Sequence, residues 1–135
     1  MANWTQPRRL INVADYYDEL SGHYGVYELG FKRGDFFIPK YVGRARAGSS
    51  CLYGRLSSYI NEGRCHNIHL RGKIGMERHS VYFHISCVGN PAFTEAYLLY
   101  THEIGRHGGL YEWNRRYEYA ALREAGYSFH GEDGR

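Results

Sequence analysis

Apolar residues recur along the chain at spacings that change from segment to segment, and these changes predict the order of its elements. Over residues 13–21 they fall at helical spacing, which indicates a short leading helix. Residues 23–29 and 36–42 are instead rich in aromatic and β-branched side chains, and a glycine-containing turn over residues 30–35 separates them. The first third of the chain therefore predicts a helix followed by a β-hairpin.

A proline interrupts the second strand of this hairpin. Pro39 has no backbone N–H to donate, so a strand that contains it must be bulged there or lie at a free edge of its sheet. Either outcome predicts an incomplete ladder of hydrogen bonds along one side of the strand.

The middle of the chain returns to helical spacing. Residues 51–62 place their apolar side chains on one face of a helix that ends at Gly63. Residues 64–79 contain two glycines and seven Arg, Lys or His residues, which predicts a long loop with room for one short helix. Residues 80–88 have the composition of a third strand.

Two further helices are predicted in the last third. Asn90 and Pro91 favour a helix start, since Asn caps free N–H groups and Pro fits the first helical position, and this helix runs to about His107. Another spans roughly residues 112–125. The order of elements predicts an α+β fold, with a small three-stranded antiparallel sheet flanked by helices.

Length and composition limit the class of protein. The 135 residues are close to the commonest size of one domain, so we expect a single domain over residues 1–135. No run of about eighteen apolar residues is present, so a membrane span is not expected. Three cysteines are too few for a disulfide framework, which favours a reducing cytoplasm.

Positive charge is concentrated in one part of the chain. The formal net charge is only +3, but residues 44–73 hold six Arg or Lys side chains against one acid, Glu62. A segment of this kind can bind phosphates by releasing counterions, although a solvated arginine-rich loop is about as common.

Two short tyrosine motifs lie on the predicted hairpin, and a third motif follows on the next helix. They are Gly25-Val26-Tyr27, Tyr41-Val42-Gly43 and Arg55-Leu56-Ser57-Ser58-Tyr59. In this order they resemble the GIY-YIG nuclease family, as in the nuclease domain of the bacterial excision-repair endonuclease and in small restriction or homing nucleases. The resemblance covers about residues 22–114, with an N-terminal and a C-terminal helix as additions. It implies a metal-dependent endonuclease that acts on DNA.

The resemblance also implies roles for individual side chains. Tyr27 and Tyr41 lie side by side, Arg55 grips the phosphate, and a glutamate on a later helix holds one Mg²⁺ or Mn²⁺ ion. Phosphate or site contacts are implied for Arg44, Arg46, Tyr59 and Asn114, and the basic surroundings of His66 and His69 favour phosphate contacts for these two.

Two glutamates follow the third predicted strand. Glu103 has Arg106 and His107 one helical turn away, so a surface ion pair explains it. Glu95 has apolar neighbours at that spacing, and a carboxylate there is costly unless a partner such as a metal ion pairs with it. Glu95 is therefore the expected metal ligand, and Glu103 is the reserve.

Hydrolysis of a phosphodiester needs an activated water, positive charge at the phosphate and help for the leaving oxygen. We expect the Tyr27 hydroxyl to accept the proton of the water. Because an ordinary phenol has a pKa of about 10, cations such as Arg44 and the metal must lower it. Tyr41 and Tyr59 would position water and phosphate, and Arg55 would stabilise the transition state.

A second group of residues keeps another function open. Cys65, His66 and His69, with His84 and Cys87, are types that bind zinc, although their spacing lacks paired halves. The alternative is a catalytically silent nucleic-acid-binding or zinc-stabilised module. Among nucleases, the target and the choice between restriction, mobile-element and repair roles stay open, and a double-strand cut needs a homodimer or two successive nicks.

Overall fold

The computed structural model of the chain describes residues 3–46, 48–61, 68–100 and 111–114. The strands in this part are β1 (Arg8–Arg9), β2 (Gly25–Arg33), β3 (Phe36–Ala45) and β4 (Tyr82–Ser86). The α-helices are α1 (Tyr17–Leu20), α2 (Leu52–Ser58), α3 (Ile68–Met76) and α4 (Pro91–Leu99). Short 3-10 segments cover Leu10–Tyr16, Gly48–Ser50 and Arg78–Ser80.

The four strands form one antiparallel sheet in the order β1-β4-β2-β3. The predicted α+β class is confirmed, but the prediction of three strands is wrong. The additional strand, β1, is two arginines long and pairs with β4, where Arg8 lies opposite Phe83. Two arginines have no alternation of apolar and polar side chains, so the sequence pattern gave no strand signal.

The leading helix differs from the prediction in length and type. A 3-10 segment over Leu10–Tyr16 precedes the four-residue α1, and Asn12 interrupts the helical backbone. Leu10, Val13 and Leu20 are buried. The apolar spacing therefore identified a buried face but not the irregular backbone that presents it.

The hairpin of β2 and β3 turns at Gly34-Asp35, at the end of the predicted turn of residues 30–35, because β2 continues to Arg33. Opposite Leu29 lies Tyr41, but opposite Gly30 lies Pro39, so the pairing shifts between these positions. β3 is also an edge strand. Pro39 therefore lies both at an irregularity in the pairing and in an edge strand, the two arrangements predicted for it.

The later elements follow the predicted pattern with shorter bounds. α2 lies within the predicted helix of residues 51–62, and α3 is the short helix within residues 64–79. α4 begins as predicted, since the Asn90 side chain accepts a hydrogen bond from the Phe93 amide at 3.1 Å. Its predicted continuation to His107 and most of the last predicted helix lie outside the described residues. Residues 111–113 form a turn and not a helix start.

The two faces of the sheet are covered by different elements. Alternate residues of a strand point to opposite faces, and Tyr27 belongs to a large apolar cluster with side chains of α2 and α3, whereas Val42 packs with Ala96 and Leu99 of α4. Within the described residues, no helix is long and apolar enough to cross a membrane.

Three buried polar side chains form a network on the α4 side of the sheet. The Glu28 carboxylate lies 2.6 Å from His84 Nε2 and accepts a hydrogen bond from the Tyr111 hydroxyl. The His84 ring stacks on Trp4, with 4.3 Å between the ring centroids. Tyr111 has a φ of +61°, which is uncommon for a residue with a Cβ. The network therefore ties residues 111–114 to the central strand.

Tyr111→Phe should lower the free energy of unfolding at neutral pH. It should also make that free energy fall less steeply as the pH rises into the alkaline range. Removing the hydroxyl leaves a buried Glu28 oxygen without its donor, which costs about 1–3 kcal/mol. Burial and then the Glu28 charge raise the pKa of the Tyr111 phenol. Above about pH 10 the unfolded phenol loses its proton while the folded one keeps it, so stability falls by up to about 1.4 kcal/mol per pH unit from this group.

Urea unfolding of both proteins between pH 7 and 11 measures the two effects. The variant should be less stable at pH 7, and the difference should narrow above pH 10. A constant difference in stability between the two proteins over the whole pH range would contradict the raised pKa of Tyr111.

Candidate active site

The site begins with a close approach between the two tyrosine motifs. Tyr27 on β2 lies directly opposite Gly43 on β3. A Cβ at Gly43 would lie 2.4 Å from the Tyr27 hydroxyl oxygen. The buried Tyr27 ring therefore lies against the backbone of β3, and its hydroxyl reaches from the interior strand to the edge strand.

The first motif needs its glycine for a different reason. A Cβ at Gly25 would lie 2.3 Å from the Ser86 carbonyl oxygen of β4. Gly25 thus permits the close pairing of β2 with β4, whereas Gly43 makes room for Tyr27. Both glycines serve the placement of one tyrosine.

Gly43→Ala should destabilise the fold and displace Tyr27. The new methyl group would overlap a ring that is 1% exposed and packs within the large apolar cluster. Overpacking of this kind typically costs about 1–3 kcal/mol. Urea unfolding should show the loss, and Tyr27→Leu in the same chain should relieve much of it because the clashing end of the ring is gone.

Gly89→Ala is the matched control, since nothing lies within 4 Å of a Cβ built there. It should leave stability nearly unchanged. Equal effects of the two substitutions, or full additivity of Gly43→Ala with Tyr27→Leu, would contradict the close approach.

Three tyrosines meet at this position. The hydroxyl oxygens of Tyr27 and Tyr59 lie 2.5 Å apart. The Tyr41 ring lies 6.3 Å from each of the other two, measured between centroids. Tyr41 and Tyr59 are half-buried. The structure thus brings the three tyrosines into one cluster, with Tyr27 at its interior end.

Burial raises the pKa of the Tyr27 phenol, and the neighbouring Tyr41 raises it further. The hydrogen bond from Tyr59 and the charge of Arg55 act in the lowering direction but are smaller. Burial also raises the pKa of Tyr59. In the protein alone, desolvation outweighs the nearby cations, and the lowering expected from Arg44 together with the metal stays a prediction. Both phenols are therefore protonated at neutral pH.

Two arginines flank the edge strand near the cluster. Arg55 Nε, on α2, donates to the Arg44 carbonyl oxygen of β3 at 3.4 Å. The Arg44 guanidinium instead lies 3.7 Å from Glu95 Oε1 on α4. Arg46 is exposed just beyond the end of β3. The two sides of the sheet thus each contribute a cation beside the Tyr41-Val42-Gly43 motif.

Glu95 is a mostly buried carboxylate, 8% exposed, in the middle of α4. Its charge acts to raise the pKa of Tyr27, so it lies within electrostatic reach of the tyrosine cluster. Arg44 supplies a cation that the helical neighbours of Glu95 do not. Since Mg²⁺ binds through one or two carboxylates together with substrate phosphates, this single acid fits such an ion.

Asn114 lies at the outer edge of β3 and holds its backbone. The side-chain oxygen accepts from the Val42 amide at 2.9 Å, and the side-chain nitrogen donates to the Val42 carbonyl oxygen at 3.0 Å. Both ends of the amide are thus bonded to the central residue of the Tyr41-Val42-Gly43 motif. The structure thus shows Asn114 as a support for the motif, and its phosphate contact stays a prediction.

The histidine and cysteine group is only partly visible. Cys65 and His66 lie outside the described residues, as does the side chain of His69. His84 is committed to Glu28, and Cys87 is an exposed free thiol. In the described ranges no group of three or more His, Cys, Asp or Glu side chains could hold a metal ion.

The site therefore combines the buried Tyr27 with the half-buried Tyr41 and Tyr59, two arginines and one carboxylate near the edge of the sheet. A comparison with protein-family models found no match to the chain, and searches of curated proteins and of solved structures found none either.

Proposed function

We propose that this chain is a metal-dependent DNA endonuclease of the GIY-YIG type, which hydrolyses phosphodiester bonds with an activated water. One observation carries the proposal: Tyr27, Tyr41 and Tyr59 meet beside β3, Arg55 bonds to the Arg44 backbone there, and the Arg44 side chain pairs with Glu95 of α4. Both motif glycines serve this approach. A purely structural tyrosine would need neither the arginine nor the carboxylate.

The hydroxyl pair suggests how a proton leaves the attacking water. Since burial keeps Tyr27 protonated, its oxygen accepts a proton only as its own proton passes to Tyr59. Tyr59 is half-buried and passes one on to solvent. Each phenol ends the step neutral, and the water becomes the hydroxide that attacks phosphorus. Tyr41 borders the pair and positions the water.

The charged side chains act on the phosphate. Arg55 carries a guanidinium fork that suits two phosphate oxygens, and its position beside the Arg44 carbonyl orients it. Glu95 would hold the divalent ion, which supplies a Lewis acid at the leaving oxygen. With the ion on Glu95, the Arg44 guanidinium would be available to pair with the incoming phosphate.

A nicking assay on supercoiled plasmid tests the proposal. The purified protein should cut with Mg²⁺ or Mn²⁺, and EDTA should stop the reaction. Cleavage that is unaffected by EDTA would contradict the metal-dependent class. Retention of DNA without any cleavage would select the second candidate below.

The second candidate is a catalytically silent nucleic-acid-binding module of the same fold. The Arg44–Glu95 ion pair favours it, since Glu95 already has a cation partner in the protein alone. Such a module would retain DNA in a salt-sensitive way and cut nothing.

Two further parts of the proposal concern setting and assembly. We infer a reducing cytoplasm, since Cys51 and Cys87 are both free thiols. A double-strand cut would need a homodimer or two successive nicks.

A further inference from the structure

A groove of about 580 Å³ lies between α2 and α3, on the side of the molecule that carries Tyr59. The end of α2 forms one wall and α3 with the following turn forms the other. The residues that line it are Tyr59, Ile60, Asn61, Arg71, Gly72, Ile74, Gly75 and Arg78. The groove therefore starts at a residue of the tyrosine cluster and leads away from it.

The polar part of this lining is positive. Arg71 and Arg78 are both exposed, and no acid is among the groove residues that the structure describes. The Arg78 guanidinium donates to the Ile60 carbonyl oxygen at 3.4 Å, which holds it across the groove. Asn61 adds an exposed amide that can donate to a phosphate oxygen. These groups are suited to a polyanion.

The α3 wall of the groove exposes helical backbone. Gly72 and Gly75 are one turn apart on α3, and nothing lies within 4 Å of a Cβ built at either. Glycine inside a helix costs about 0.5–1 kcal/mol relative to alanine. Among the described residues no contact requires these glycines, and their lack of side chains leaves room for a close ligand.

We propose that the groove between α2 and α3 binds the nucleic-acid strand next to the scissile phosphate, through its backbone phosphates. This inference rests on the proposed function, because the strand enters from the tyrosine cluster. Tyr59 belongs to both places, since it pairs with Tyr27 and lines the groove. Phosphate contacts of this kind fix the register of the strand and carry no sequence preference.

The test compares Arg71→Ala with Lys73→Ala. Both residues are exposed cations on α3, but only Arg71 lines the groove. Fluorescence anisotropy with labelled random-sequence oligonucleotides in EDTA, over a range of salt concentrations, gives the affinity and its salt slope. Arg71→Ala should reduce the slope by about 0.7–0.9, the contribution of one phosphate, whereas Lys73→Ala should leave it nearly unchanged.

A second variant separates blockage from loss of charge. Gly75→Leu places a side chain in open space of the groove, so it should weaken binding while the thermal midpoint stays level or rises, because leucine is the better helix former. Unchanged affinity in a folded Gly75→Leu protein would overturn the proposal.

Cleavage of shortened substrates locates the strand. With long DNA, Arg71→Ala should raise KM and leave the single-turnover rate at saturating DNA unchanged, since the contact binds ground and transition states alike. Shortening the strand on one side of the cut should abolish the difference between variant and wild type. Equal effects of Arg71→Ala and Lys73→Ala would overturn the proposal for the groove and leave the proposed function untouched. No DNA binding by wild type, even at low salt, would also refute the proposed function.

Discussion

Glu95→Gln should reduce Mg²⁺-dependent cleavage of supercoiled DNA by a factor on the order of 10³ or more, the scale of losing one strong electrostatic contact in a transition state. The substitution keeps nearly the same volume in the interior of the molecule. It removes the negative charge proposed to hold the ion and leaves Arg44 without this carboxylate partner. The fold should therefore persist while the metal site is lost.

The measurement is the initial nicking rate as a function of Mg²⁺ concentration. Glu19→Gln serves as the matched control, because Glu19 is also a carboxylate paired with an arginine, Arg8, but is exposed and lies on α1. The control should cut at the rate of the wild type. If Glu95→Gln also does so, the assignment of the ligand is wrong, and Glu103→Gln becomes the next variant to test.

Tyr27→Phe should lower the single-turnover rate by about 10²–10⁴-fold, the usual contribution of a positioned proton acceptor. The ring that fills the core is kept, and only the hydroxyl that contacts Tyr59 is removed. Tyr17→Phe is the control for the chemical change, since Tyr17 is 52% exposed and its ring contacts Tyr53, which does not belong to the cluster. Circular dichroism and urea unfolding should show that both variants fold.

The pH dependence distinguishes a relay from a free phenolate. Burial raises the pKa of Tyr27 and of Tyr59. The pH profile of the wild-type rate should therefore show no bend from the titration of either phenol between about pH 6 and 10. Tyr59→Phe should also slow cleavage, since it removes the acceptor for the Tyr27 proton. If the rate instead rises with pH and levels off near neutral pH, and Tyr27→Phe abolishes this bend, Tyr27 acts as a phenolate base.

The parts of the fold that could be predicted depend on signals within a few residues. Asn90 and Pro91 specify a helix start by themselves, and Pro39 specifies an edge or a bulge by its missing donor. β1 could not be predicted in this way, because two arginines have no apolar pattern and their strand exists only through the backbone of β4.

In the candidate site, too, some features could be predicted from nearby residues and others depend on residues distant in sequence. The motif order placed Tyr27 and Tyr41 on facing strands, and their rings do lie close together. The partner of Glu95 is Arg44, which is remote in sequence, so helical spacing alone could not reveal it. The direction of the Tyr27 pKa shift depends on burial by the assembled core, which outweighs cations that are visible in the sequence.

The hydrogen bonds along the outer side of β3 limit how two copies of this protein can associate. An open strand edge pairs readily with an edge of another molecule. Here Asn114 occupies the Val42 amide and carbonyl, Trp113 donates to the Lys40 carbonyl at 2.8 Å, and Arg55 donates to the Arg44 carbonyl. A homodimer that makes paired cuts would therefore not extend the sheet through residues 40–44 of β3, where these backbone groups are already bonded.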